Sequence, residues 1–532
     1  MAVPLDVHRF VSRALTELPE GDRITVISVP APVAAPVAFL RLQPRDKRFF
    51  WGSPGGASFS GGGAVRTIRV QGENRYDELR TEVERLWSEL GSVSHPNCRP
   101  VPPRVFGGLA FHSGDQGPVW DEFGDGCFTL PRWCYALRNG RAYLSLAVRG
   151  DTDGTEEGQR QLLDELEIIF RVLATEEEQS ALLENPRLLD ATATVVHRVE
   201  FPQWEQHVDA IRRAITSGEF QKIVAAHRCD LALTREVDDL EVLSRLVVQP
   251  LCTRFLFGRE TMSFVGASPE VLFDKRGSLL RTEALAGTTR CPAGSDADAP
   301  ASELFESAKD RSEHAFVVGE IARILEPFCE KLRWSERPRV HRIREILHLQ
   351  TPFKARLKEA VHPIELLDAL HPTPSVGGLP TAAAAEWIAS NEADGRGWYT
   401  GPVGWMDASG DARFVVAIRC GLVGGSRVHV FTGAGIVSAS RADAEYAETN
   451  LKRVPLLRAL GLGEPQVSEL ASLPSLASLA STDSVDSLDP FPLPSLAEIP
   501  ASPPSSSRLR DTGKAGTPPQ SEPEAKRACE NE

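Results

Sequence analysis

The run Phe431-Thr-Gly-Ala-Gly-Ile-Val437 leads into a helix-forming stretch that carries Glu445, Glu448 and Lys452 at i, i+3 and i+7. An apolar, glycine-containing strand that ends in a turn and feeds a helix with three charges stacked on one face is a demanding arrangement. Two carboxylates and an ammonium on one helical face can hold a metal ion and an anion together. Ala444, Ala447, Leu451 and Val454 form an apolar stripe at helical spacing, about a quarter turn away, so the core face is expected to be separate from the charged face. Pro455 is expected to end or kink this helix. The competing reading is a solvated helix with an ordinary i,i+4 pair between Glu448 and Lys452.

Composition narrows the class of protein. The chain has 532 residues, 42% of them apolar, which is enough for a large core. Its net charge of -14 argues against a nucleic-acid surface, which needs a basic face. The nine cysteines form no C-x-x-C pair, so neither a disulfide framework nor a thiolate zinc site is indicated, and a cytoplasmic protein is expected. The stretch from Ile24 to Leu40 is interrupted by Pro30, Pro32 and Pro36, which favours strand, turn and strand over a membrane helix.

Three regions follow from the pattern. Residues 1–195 alternate strand-like runs (Ile24–Val29, Val37–Leu42, Arg141–Val148) with amphipathic helices at Tyr76–Leu90 and Glu156–Ala174. Residues 196–462 hold nearly all the chemistry-bearing segments. Residues 463–532 are Ser-, Pro- and Leu-rich and are expected to be disordered, because they bury too little apolar surface to offset ordering entropy. The spaced leucines from Leu470 to Leu479 are either a docking peptide for a protein partner or part of a tolerated extension. The glycines between Gly52 and Gly63 lack the Lys-Ser/Thr that a phosphate loop requires, and this segment is expected to be a loop.

Within the middle region, a helix signal starting near Ser302 places Glu313 on the same stripe as Val317, Ile321 and Ile324. An acid there either reaches water or pairs with an arginine, or it ligates a hard cation opposite Glu448. Carboxylates from two helices with open positions suit Mg2+, and His314, His341, His348 and His371 have no metal-ligand spacing. Lys222 shares a strand face with Val224 and Ala226. It is either an edge-strand guard against aggregation or an inward lysine able to act as a base. Glu270 follows Pro269 at a strand-to-turn junction and is a general-acid candidate if it is buried. Gly287 and Thr288 lie in Thr282-Glu-Ala-Leu-Ala-Gly-Thr-Thr-Arg290, where backbone and hydroxyl can hold a carboxylate. Arg419, placed in an expected strand Phe414–Cys420, suits either a bidentate carboxylate contact or a structural salt bridge.

Taken in order, several segments closely resemble the chorismate-utilising enzymes. They are Gln221-Lys222-Ile-Val, Gly266-Ala-Ser-Pro-Glu270, Glu283-Ala-Leu-Ala-Gly287-Thr288, Ser307-Ala-Lys-Asp-Arg-Ser-Glu313-His314, His371-Pro-Thr-Pro-Ser-Val-Gly-Gly378, Tyr399-Thr-Gly-Pro402 and Gly433-Ala-Gly-Ile-Val437 with its charged helix. The likeness spans residues 195–460, and Arg104-Val-Phe-Gly-Gly-Leu-Ala-Phe-His112 extends it toward the isochorismate synthases of menaquinone synthesis. It implies a mixed α+β fold, with two facing, mainly antiparallel sheets surrounded by helices and the active site in the cleft between them. It implies that Lys222 is the base that activates water and Glu270 the acid that protonates the departing C4 hydroxyl of chorismate. Glu313 and Glu448 would hold Mg2+, with Glu445 behind them. Gly287, Thr288, His348, Tyr399, Arg419, Gly435 and Lys452 would contact the substrate. Lys222 favours water addition, since ammonia-adding relatives usually carry Gln there. The family's other branches, salicylate synthase and anthranilate-type synthase, and a silent chorismate-binding scaffold remain the alternatives. Ser375 departs from the usual Ala, and menaquinone or siderophore synthesis is the implied destination.

Overall fold

The computed structural model describes residues 3–471 apart from 100, 115, 176–191, 249–250, 292–295, 297, 344–345 and 360. Two large sheets dominate the described residues, one of 13 strands and one of 10. The strands that build the site are β1 (Lys222–Leu233), β2 (Ser263–Ser268), β3 (Val271–Arg276), β4 (Leu279–Arg290), β5 (Ile346–Leu357), β6 (Pro402–Asp407), β7 (Ala412–Val416), β8 (Cys420–Gly424) and β9 (Arg427–Ile436). The first sheet runs β1-β9-β8-β2 and continues into strands from the amino-terminal half. The second runs β5-β4-β3-β7-β6 and then takes in Arg104–Leu109, Gly126–Leu130 and Arg66–Val70. Each sheet therefore mixes strands from both halves of the sequence. Ile24–Ala31 pairs in parallel with Leu90–Ser94, while the strand pairs of the site are antiparallel.

Two helices complete the site, α1 (Ala308–Leu325) and α2 (Ala442–Ala459). Ile223 and Ala225 of β1, Ala434 and Ile436 of β9, and Val317 and Ile321 of α1 share one apolar core. Alternation along β1 then turns Lys222 and Val224 to the other face, toward a cavity.

Several local expectations are corrected. The helix expected from Ser302 breaks at Ser307, whose hydroxyl accepts from the Asp310 amide and caps a new helix, α1. Residues Pro36–Leu40 form a short helix rather than a strand, with Pro36 at the first turn, where its missing N–H costs nothing. The glycine-rich loop expected from Gly52 to Gly63 is largely a hairpin of Phe49–Gly52 with Ser58–Gly62, drawn into the sheet by buried Phe49, Trp51 and Phe59.

On α2 the expected apolar stripe is not the core face. Ala444 is exposed, whereas Glu445, Tyr446, Thr449, Asn450 and Arg453 are buried. That face is satisfied by polar contacts instead. The Thr449 hydroxyl meets His227 Nε2 at 3.0 Å, Tyr446 donates to the Val199 carbonyl at 2.8 Å, and Arg453 donates to Asn450 Oδ1 at 2.5 Å. The helix also runs through Pro455 to Ala459, because Leu456, Leu457 and Ala459 are buried beyond the proline. Order continues past residue 462 into a helix at Glu464–Ala471, where Val467 and Leu470 join the core of Leu456 and Leu460. The rest of the Ser/Pro/Leu-rich tail, including the docking leucines after Leu470, lies outside the described residues.

Candidate active site

A cavity with convergent polar groups lies between the sheets and has a volume of about 130 Å³. Lys222, Glu270, Gly287, Glu313, His348, Tyr399, Arg419, Gly435, Glu445, Glu448 and Lys452 all line it. Of the expected site residues only Thr288 is missing from that wall, and its side chain lies outside the described residues.

Lys222 is not an edge-strand residue. Its strand is flanked by β9, and Lys222 itself pairs across to Leu379. The side chain is buried, and its Nζ donates to Glu313 Oε1 at 2.7 Å. Two residues along the same strand, Val224 pairs in register with Gly435. A Cβ on Gly435 would stand 2.8 Å from Lys222 Cε and 3.2 Å from its Nζ, so only glycine leaves this lysine its place.

Glu270 sits where the chain steps from β2 in the first sheet to β3 in the second. Its amide is held by Ser268 Oγ at 3.2 Å and its carbonyl by the Val416 amide at 3.1 Å. Burial first, and then the neighbouring Glu283 carboxylate, push its pKa up to about 7. The Thr373 hydroxyl donates to Oε1 at 3.3 Å and partly opposes that rise. Thr373 belongs to the His371–Gly378 segment but was not singled out from the sequence, because a hydroxyl's partner depends on the fold.

The floor is a bulge. The register of β4 against β5 slips between Ala286 and Thr288, and Gly287 takes φ +75° there. His348 Nδ1 lies 3.2 Å from the Gly287 carbonyl, which can only accept, so the ring proton sits on Nδ1. Burial drives the His348 pKa down to about 3, so the ring is neutral. Asp310, another lining residue missed in the sequence, packs beside Gly287, and a Cβ there would stand 3.1 Å from Asp310 Cβ.

Arg419 is not in a strand. Strand β7 ends at Val416 and β8 begins at Cys420, and Arg419 makes the crossing between sheets with φ +54°. Thr400, also in the cavity wall, has φ +62°. Non-glycine residues held in this region cost about 1–3 kcal/mol each and gather at functional sites. Here His371 Nε2 holds the Thr400 carbonyl at 3.1 Å, and the Thr400 amide bonds Ala417 O at 2.8 Å. Tyr399 stacks on Phe431 at 5.5 Å, and its hydroxyl is kept protonated by burial.

The α2 charges behave as a unit. Lys452 Nζ donates to Glu448 Oε1 at 2.7 Å and to the Gly433 carbonyl at 2.9 Å. Glu313, Glu445 and Glu448 supply the oxygen donors at this wall. Among the described residues no group of three or more His, Cys, Asp or Glu is close enough to hold a metal by protein ligands alone. The cavity thus joins a buried ammonium, a protonatable carboxyl, anion-binding cations and a carboxylate wall.

Comparison with known proteins identifies the family. Residues 10–461 match the family model described as chorismate binding enzyme. The salicylate biosynthesis isochorismate synthase of Pseudomonas aeruginosa is 33% identical over 414 residues, covering 77% of this chain and 84% of that protein. Isochorismate synthase MenF of Bacillus subtilis is 28% identical over 473 residues, covering 85% and 97% respectively. Among solved structures, the menaquinone-specific isochorismate synthase MenF of Escherichia coli superposes with a TM-score of 0.68 at 25% identity, over 86% of this chain and 99% of that one.

Proposed function

The chain belongs to the chorismate-binding enzymes, and from that premise we propose how its cavity works. It is an isochorismate synthase: water adds at C2 of chorismate and the C4 hydroxyl leaves. The observation that carries the reading is the pairing, in one cavity, of the buried Lys222 amino group with a Glu270 carboxyl that burial keeps about half protonated near neutral pH. In its amine form Lys222 takes a proton from the attacking water, and the oxygen bonds to C2. The ring π electrons shift, the C4–O bond breaks, and Glu270 gives its proton to the departing hydroxide, which leaves as water. Turnover restores the two groups by returning one proton from Lys222 to Glu270.

Arg419 and Lys452 provide positive charge for the substrate's two carboxylates, and the neutral His348 ring and Tyr399 shape the pocket around them. The oxygen-only donors of Glu313 and Glu448, with Glu445 adjoining, fit Mg2+, which accepts one or two carboxylates and fills its shell with water and ligand oxygens. When bound, that ion would neutralise a substrate carboxylate and fix its orientation. Ser375, the departure from the commoner family residue, donates its hydroxyl to the Leu285 carbonyl at 3.1 Å. The added hydroxyl is therefore satisfied by the backbone. Water addition, rather than ammonia addition, follows from Lys222.

The test is chromatographic product analysis with chorismate and Mg2+, with and without ammonium, on the native chain and on Lys222→Gln and Glu313→Gln. Isochorismate alone, lost in both variants, is the expected result. Salicylate with pyruvate, or an ammonium-dependent product, would refute the assignment.

A further inference from the structure

A second cavity, of about 960 Å³, opens away from the catalytic one and shares no lining residue with it. Its wall carries seven arginines against one carboxylate, Asp274, in a chain whose net charge is -14. The arginines come from both sheets and are of two kinds. Arg104 and Arg413, half-buried, and the exposed Arg276 are paired. Arg104 meets Asp407 at 3.1 Å, Arg413 meets Asp274 at 2.8 Å, and Arg276 meets Asp274 at 3.0 Å. Arg99, Arg138, Arg141 and Arg281 are exposed around the mouth and have no ion pair among the described residues.

This is more positive charge than the fold requires. Salt bridges account for the paired three, and two of them also pack on aromatic rings. Arg104 lies 4.9 Å from the Phe59 ring centroid and 5.0 Å from that of Trp405, while Arg276 lies 4.7 Å from Trp405. The outer four gain nothing comparable, and like charges around one opening repel. Arg138 and Arg141 are register partners across a two-residue turn with Asn139 at φ +50° and Gly140 at φ +70°, so the hairpin presents two arginines side by side. Guanidiniums match oxyanions through forked hydrogen bonds. Because guanidiniums and Phe59 already pack on Trp405, the site has little to offer a stacked base, and charge rather than ring stacking selects the ligand.

We propose that this cavity is a binding site for a compact multivalent oxyanion, carrying phosphate or carboxylate groups, that bridges the Arg138–Arg141 hairpin of the first sheet and Arg281 of the second. Its volume exceeds that of a single monovalent ion, and its charge needs at least two anionic groups to balance it.

The test is calorimetric titration of the full chain, free of divalent cations, in about 0.15 M NaCl, where weak surface attraction is largely screened. Pyrophosphate and citrate serve as the phosphate and polycarboxylate probes, with sulfate at matched ionic strength as control. Saturable binding of either probe is expected and identifies which chemistry the site prefers. The affinity should fall at least tenfold in the double variant Arg138→Gln/Arg141→Gln and separately in Arg281→Gln. All three residues are exposed, so these variants should keep the native melting temperature and, without anion, native turnover of chorismate. Absence of saturable heat, equal affinity in the variants, or loss of binding in Arg419→Gln instead, which would place the anion in the catalytic cavity, would each overturn the proposal.

Discussion

Replacing Glu270 by Gln should stabilise the protein while abolishing its turnover, and the stabilisation should grow with pH. A carboxyl whose pKa rises on folding from its ordinary value of 4.5 to about 7 favours the folded state fully below 4.5, and that advantage is lost as pH rises through 7. At about 1.4 kcal/mol per pH unit, the rise corresponds to about 3 kcal/mol of lost stability once the buried group is ionised. Gln keeps the shape and a hydrogen-bonding oxygen for Thr373 but has no charge to desolvate. The difference between E270Q and the native chain should therefore be under about 1 kcal/mol at pH 5 and about 3 kcal/mol at pH 8. For a chain of this size, unfolding entropy per residue converts 3 kcal/mol to about 3 °C in melting temperature. Thermal unfolding of both proteins at a fixed scan rate from pH 5 to 8.5 measures it, and native kcat/KM should fall about tenfold per unit above pH 7 as the acid is lost. A melting difference that stays flat across this range would show that Glu270 is not a buried, late-titrating acid, and the proton assignment would fail with it.

Gly435→Ala should lower kcat by about 10- to 100-fold with little change in melting temperature, because the new methyl displaces the Lys222 tip rather than backbone; steady-state kinetics beside calorimetry would check this. Thr373→Val removes the hydroxyl that opposes the Glu270 rise, so the alkaline limb of the pH–rate profile should move to higher pH. Glu313→Gln should abolish Mg2+-dependent turnover and weaken Mg2+ binding at least tenfold by titration calorimetry, since it removes one of the charged oxygen donors. Lys452→Met should raise KM for chorismate more than it changes melting temperature, because it deletes a cation held at the cavity by Glu448 and Gly433.

How much of this was legible in the sequence depended on the kind of signal. Amphipathic helices such as Glu156–Ala174 were readable because period and cap coincide, the Thr155 hydroxyl accepting from the Gly158 amide. The charged triplet on α2 was readable as a face, but the direction of that face was not. Ala444 and Leu451 looked like core, yet the helix buries Thr449, Asn450 and Arg453, because partners distant in sequence, such as His227, satisfy them. Periodicity measures apolarity and is blind to a polar face that finds its hydrogen bonds elsewhere. The Gly52–Gly63 segment failed for a related reason: strand membership there is set by cross-strand packing of Phe49 and Trp51.

The acid and the arginine show where local reading stops and topology takes over. Glu270 and Arg419 each lie in a link of a few residues between strands of different sheets, β2 to β3 and β7 to β8. A chain that leaves one sheet for the other must turn across the space between them, so a side chain at the crossing projects into the cleft rather than onto an outer face. The same crossing explains the left-handed backbone at Arg419, which a continuous strand could not accommodate. The expected strand Phe414–Cys420 placed this arginine correctly in number but on the wrong kind of element. Its proposed role as a carboxylate ligand gains support from the break, because the crossing sets the half-buried Arg419 in the cavity wall, where among the described residues no carboxylate is within ion-pair distance and Glu448 acts on it only from farther away. A cation held in this way, at the cost of a strained φ and with no ion pair among the described residues, is compensated most simply by an anionic substrate.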